Sequence, residues 1–130
     1  MGHVYVKATF YNISDYMEHV SGRRTLKDVR QIHVDALVDT GATYPALPED
    51  IVKEIGLSVI KEAEGETAQG KEALKLTATA TQIEDRTAIS YTIVRPKKTT
   101  PLIGVVALEQ MGYKIDPSTG KLIKGLPLML

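Results

Sequence analysis

The alternation of apolar and polar positions marks most of this chain as strand. Residues 3–11 are rich in β-branched and aromatic side chains with partial alternation, the pattern of a half-buried strand. Val29, Ile32, Val34, Ala36 and Val38 give a second, which turns fully apolar at Ala36-Leu37-Val38 and so predicts an exposed start and a buried end. Residues 57–61, 74–81 and 88–94 read as three more. Residues 12–27 are polar, broken by Gly22 and the pair Arg23-Arg24, and are expected to form a long loop or hairpin end. Two short helices interrupt the strands. One spans residues 48–56, with Pro48 in its first turn, Glu49 and Asp50 near its start, Ile51, Val52 and Ile55 to bury, and Gly56 at its end. The other spans residues 104–112, with Leu108 and Met111 facing inward and Gly112 as the stop. Residues 113–123 predict a hairpin, because Asp116, Pro117 and Gly120 supply turn chemistry between two apolar-rich arms. The fold class is mainly β.

Length and composition narrow the options. A chain of 130 residues, 43% hydrophobic, is expected to fold as a single domain over 1–130. It should bury roughly two-thirds of its extended surface. Zero cysteines exclude disulfides, thiolate metal centres and cysteine nucleophiles. Sixteen Lys+Arg balance 16 Asp+Glu, so no net field draws nucleic acid or anionic lipid. Arg23-Arg24 and Lys97-Lys98 read as solvated surface. No apolar run reaches the roughly 18 residues of a membrane span, and no secretory leader opens the chain. The expected setting is cytoplasmic, without membrane or nucleic-acid partners.

Candidate chemistry is sparse. His3, His19 and His33 lack the spacing of a metal site; His3 and His33 can meet across neighbouring strands, but two histidines without a third ligand make weak metal evidence. Glycine-rich phosphate loops are missing. One segment differs: the apolar run Ala36-Leu37-Val38 ends abruptly in Asp39-Thr40-Gly41-Ala42. Such a carboxylate can simply accept backbone hydrogens in a turn. Yet a carboxylate at the end of a core strand is costly unless it is hydrogen-bonded or used.

Residues 37–42, Leu-Val-Asp-Thr-Gly-Ala, resemble the active-site motif of retroviral-type aspartic peptidases, the retropepsins. A second block strengthens the likeness. Leu102-Ile103-Gly104, with Leu108, Met111 and Gly112 following, is similar to the family's apolar-apolar-Gly block and the short helix after it. Between the two blocks, Gly65-Glu66-Thr67-Ala68-Gln69-Gly70 occupies the place of the family's mobile flap. The resemblance implies a closed or nearly closed β barrel with one or two short helices. It implies Asp39 as the catalytic acid, supported by Thr40, Gly41 and Ala42, and no metal or organic cofactor. It also implies a homodimer hydrolysing polypeptides, because one chain carries a single Asp-Thr-Gly while paired-carboxylate chemistry needs two acids.

The chain departs from viral members in ways that bear on assembly. Thr43 and Tyr44 stand where those enzymes commonly carry acids, and Val105 stands where they carry arginine; the pattern is closer to cellular and microbial relatives. An ion-pair route to the dimer is therefore missing. The apolar tail supplies another, with Leu126, Leu128, Met129 and Leu130 expected at the subunit interface. The alternative function is a non-catalytic binding or oligomerisation module on the same fold.

Overall fold

The computed structural model describes residues 4–68 and 70–126. Nine strands and three short α-helices are placed among them: β1 (Val4–Asn12), α1 (Ile13–Val20), β2 (Gln31–Val38), β3 (Ala46–Pro48), α2 (Glu49–Glu54), β4 (Lys61–Thr67), β5 (Gly70–Ile83), β6 (Arg86–Arg95), β7 (Leu102–Ile103), α3 (Val105–Met111), β8 (Tyr113–Ile115) and β9 (Leu122–Lys124). The main sheet runs β1-β2-β7-β3-β6-β5-β4, and β1 also pairs with β5. That last pairing, Thr9 with Gln82 through Asn12 with Thr79, bends six strands into a ring. A β8–β9 hairpin stands beside it. None of the helices is long and apolar enough to cross a membrane.

Period-2 alternation builds the interior. Ala8 and Phe10 from β1, Ala36 and Val38 from β2, and Ile83 and Ala88 from the β5–β6 hairpin point into one core. Leu47, Val52, Ile55, Ile103, Leu108 and Met111 close it. The β5–β6 half of the interior also carries hydroxyls: Thr77, Thr79, Thr81 and Thr92 are buried, and Thr79 and Thr92 satisfy each other at 2.7 Å.

The chain between β1 and β2 forms a helix, α1, and a 3-10 turn (Leu26–Asp28) rather than an irregular loop. Asn12 caps the helix by accepting the Asp15 N–H at 3.0 Å, the spacing of an N-cap on N3. The same amide donates to the Ile55 and Gly56 carbonyls, at 2.9 and 3.2 Å, and so ties α1 to the end of α2. Two smaller boundaries also move. Pro48 precedes α2 as its N-cap, and β4 begins at Lys61, after only one ladder bond from Ile60 N–H to the Leu76 carbonyl.

Asp15 is the charge buried under this corner. Arg30 grips it through Nε at 2.8 Å, Nη2 at 3.1 Å and its backbone N–H at 3.1 Å. Those side-chain hydrogen bonds hold the Asp15 carboxyl down to about 2, against the opposing effect of burial. A carboxyl group depressed in the folded state stabilises it above the unfolded group's pKa of about 4, and that contribution fades as pH falls toward 2. Because the Arg30 side chain is 55% exposed, solvent screening holds the contribution to on the order of 1–2 kcal/mol. Asp15→Asn is therefore expected to cost about 1–3 kcal/mol at neutral pH. Urea titrations should show wild-type stability climbing between about pH 2 and pH 4 and the variant losing that slope.

Candidate active site

The site starts from the end of β2. Parallel pairing sets Leu37 against Leu102 and Val38 against Ile103, so the two sequence blocks lie side by side. The pairing continues past the strand: Leu37 N–H donates to the Pro101 carbonyl at 2.9 Å and Asp39 N–H to the Ile103 carbonyl at 3.0 Å. The chain then turns, Ala42 N–H returning to the Asp39 carbonyl at 3.1 Å. Within that turn Gly41 N–H donates to Asp39 Oδ1 at 2.9 Å. The carboxylate is thus oriented by its own loop and left half-buried, with Thr40 and Gly41 exposed and Ala42 half-buried. Gly41 leaves little room for a side chain, since a Cβ there would lie 3.2 Å from Asp39 Oδ1.

The start of α3 locks this loop from below. The first N–H groups of a helix have no partner inside it. Here Val105 N–H donates to the Ala42 carbonyl at 2.8 Å and Val106 N–H to the Thr43 carbonyl at 3.0 Å. Gly104 allows the approach, because a Cβ at that position would sit 2.5 Å from the Tyr44 carbonyl carbon and 2.8 Å from that of Thr43. Val105 and Val106 thus meet the loop at Ala42 and Thr43 through backbone. The Tyr44 ring turns instead to the edge of Tyr91, with centroids 6.0 Å apart at 81°, and Lys61 at the base of β4 lies 5.8 Å from the Tyr91 centroid.

The segment expected as a flap is the far end of the β4–β5 hairpin, where Gly65 pairs with Glu72 and Glu66 with Lys71. Leu74 lies over Gly65, in the space a side chain there would need. Ala68 is exposed near the tip, and Gln69 falls outside the described residues. At the other end of the chain, Leu126 is 88% exposed, while Leu128, Met129 and Leu130 lie outside the described residues. The structure therefore brings the Asp39 loop and the block at residues 102–104 into contact, with the hairpin and tail arising elsewhere on the fold.

His19 and His33 stand apart from this loop. His33 exchanges a hydrogen bond with Thr9 at 2.8 Å, on the outer face of the β1–β2 pair, and His3 lies outside the described residues. A shallow groove of about 590 Å³ runs there, past Lys7, Thr9, His33, Asp35 and Gln82. It contains no motif residue, and its chemistry is that of a solvated sheet face. No group of three or more metal-ligating side chains forms among the described residues. Sequence reasoning missed Tyr91, Lys61 and the backbone bonds from α3, none of which has a local signature.

Comparison with known proteins gives the same direction. A family model described as gag-polyprotein putative aspartyl protease matches residues 28–110. The chain belongs to that aspartyl protease family, and its fold is retropepsin-like. A retropepsin-like aspartic protease from Rickettsia conorii superposes with a TM-score of 0.56 at 20% identity, over 88% of this chain and 77% of that one. No curated protein matches.

The close approach of Gly104 to the loop makes a specific demand. Gly104→Ala places a methyl group against backbone that cannot swing aside, an overpacking expected to cost about 1–3 kcal/mol. The checks are thermal unfolding and the amide chemical shifts of Thr43 and Tyr44. An unshifted loop at full stability would show that α3 does not brace it.

Proposed function

We propose that this chain is an aspartic endopeptidase whose catalytic unit is a homodimer, each chain giving one Asp39 to a shared cleft. The observation that supports it best is the half-buried Asp39 carboxylate, held by Gly41 N–H at the end of a core strand and braced by the first turn of α3. A single chain offers one such acid. A twofold axis beside the loop supplies the second and sets the two carboxylates facing each other.

In that arrangement the two acids share a proton, because like charges so close cannot both ionise at low cost. The ionised carboxylate takes a proton from a water bound between them as the water oxygen bonds to the peptide carbonyl carbon. The protonated partner gives its proton to the carbonyl oxygen, forming a neutral tetrahedral diol. Collapse of the diol breaks the carbon–nitrogen bond; the amine leaves with the proton taken from the water, and a diol hydroxyl returns a proton to the other carboxylate. Thr40 is assigned to the contact across the axis, and Gly41 and Ala42 to clearance for the substrate backbone. No metal or organic cofactor enters the chemistry.

The flap assignment rests on the β4–β5 hairpin, and strand parity gives it a chemical character. Register runs unbroken along β5 from Lys71 through Ile83, so face identity carries from barrel to hairpin. Thr77, Thr79, Thr81 and Ile83 are interior. The face continuous with them on the hairpin carries Glu62 opposite Lys75, Glu64 opposite Ala73 and Glu66 opposite Lys71. A flap closing with this face inward presents charge to the substrate, and Glu64 has no lysine directly across from it.

The tail completes the dimer in this reading. Leu126 is exposed, and Leu126, Leu128, Met129 and Leu130 are assigned to the subunit interface in place of the missing ion pairs, the last three lying outside the described residues. The second reading, a non-catalytic binding module, needs the same dimer but no hydrolysis.

Asp39→Asn separates the two. The variant should lose peptide cleavage entirely while sedimenting as the wild type does; retained turnover in the purified variant overturns the mechanism. Charge selection has its own measurement. Paired fluorogenic peptides differing only in Lys or Glu near the scissile bond should be cleaved by the wild type with a preference for Lys, and Glu64→Lys should shrink or invert that ratio by about tenfold. An unchanged ratio removes Glu64 from the cleft.

A further inference from the structure

Strand register makes a continuous floor of the face that carries Asp39. Residues paired across neighbouring strands share a face, as do residues two apart along one strand. Leu37 pairs with Leu102, Leu102 with Ala46, Ala46 with Ile93, Ile93 with Leu76, and Leu76 with Lys61. One row of side chains therefore crosses the sheet from β2 to β4, on the face that Asp39 shares with Leu37. Ala46, Leu76 and Leu102 are buried, yet they stand outside the cluster that fills the barrel. The floor is a second apolar layer, separate from that core.

A second row lies two residues further on and starts at the acid itself. Asp39 is tied by its N–H to the Ile103 carbonyl, next to Gly104. Gly104 crowds the Tyr44 backbone, and the Tyr44 ring meets the edge of Tyr91. Tyr91 in turn pairs with Ala78. With Tyr91 39% exposed, this row presents an open aromatic ring on the same face as the carboxylate.

Lys61 ends the first row at that ring. Its Nζ stands 5.8 Å from the Tyr91 centroid, close enough to be drawn to the electron-rich face. Arg24, Arg30, Lys53 and Lys124 supply the ion pairs formed among the described residues, and Lys61 enters none of them. Glu62, the next residue along, stands across from Lys75 instead. An exposed cation steadied on an aromatic ring, with no carboxylate of its own, is suited to accept one from a bound chain.

Spacing says which part of a bound chain that is. Tyr91 lies on β6, three strands along from the one that ends at Asp39. At about 4.8 Å per strand the separation is about 14 Å, or about four residues of extended peptide. We infer that Lys61 and Tyr91 form a specificity site for an acidic substrate side chain about four residues from the scissile bond. The inference rests on the homodimeric peptidase reading above, in which the twofold axis gives one such site to each end of the cleft. The substrate carboxylate pairs with the Lys61 ammonium, and the methylene groups of that side chain lie on the exposed part of the Tyr91 ring. A basic side chain there meets like charge and is disfavoured.

The test uses fluorogenic peptides with an apolar pair at the scissile bond, identical except for Glu, Gln or Lys about four residues away on either side. Wild type should cleave the Glu peptide with a kcat/KM about three- to tenfold above that of the Lys peptide, with Gln between them. High salt should shrink that ratio. Lys61→Glu should invert the order, Lys61→Met should flatten it, and Tyr91→Leu should reduce it. Lys27→Glu makes the same charge change beside α1 and should leave the ratio as in the wild type. The same peptides, labelled for fluorescence anisotropy, are titrated onto the Asp39→Asn protein with and without Lys61→Glu. A ratio that Lys61→Glu leaves unchanged in cleavage or, where nothing is cleaved, in binding overturns the inference. Binding that follows the charge at position 61 without any cleavage by the wild type defeats the peptidase reading alone. Cleavage with no charge discrimination at this distance defeats the specificity site alone, and absence of both cleavage and binding defeats both.

Discussion

The loop that displays Asp39 depends on two backbone hydrogen bonds, from Val105 to Ala42 and from Val106 to Thr43. They solve two problems at once. A helix start needs partners for its free N–H groups, and a loop that displays a carboxylate needs an anchor that does not touch the carboxylate. Joining the two leaves the half-buried Asp39 carboxylate to accept its hydrogen bond from Gly41 N–H within the loop. Gly104 is the sterically required member, since any side chain there would collide with the loop it braces.

The brace explains which parts of the molecule were legible in the sequence. Asp39-Thr40-Gly41, Gly104 and Gly112 are local solutions to local geometry, so their residue types announce them. The β8–β9 hairpin is similar, with its turn chemistry inside residues 116–120. By contrast, α1 was hidden because its stabilising partners are remote. Its inward-facing residue is Asp15, which looks like loop composition until Arg30 is placed beside it, and its cap Asn12 spends its amide on carbonyls at 55 and 56. Polar composition therefore marked residues 12–27 as irregular, although Asn12 and Asp15 carried the N-cap spacing that could have located the helix.

The same distinction holds at the site's edges. The Tyr44–Tyr91–Lys61 contacts join the Asp39 loop, a barrel strand and the base of β4, three segments that no spacing rule connects. Where viral relatives commonly use acids and an arginine, this chain packs Tyr44 on an aromatic edge and leaves Val105 to its backbone role. An aromatic contact is less sensitive to salt than an ion pair, and it ties the loop to the barrel rather than to a second subunit. The loop is thereby steadied by contacts within one chain.

In the homodimer proposed above, association draws on surface that the isolated chain leaves uncovered. Leu126 is such a surface, and it issues from a point held by Arg86, Tyr113 and Lys124 rather than from a loose end. A flexible tail would lose conformational entropy on pairing, on the order of 1–2 kcal/mol for each residue ordered. The β5–β6 turn and the Asp39 loop are thus tied to one frame: α3 braces the loop with its first turn and, through the carbonyl at its end, accepts the Arg86 side chain.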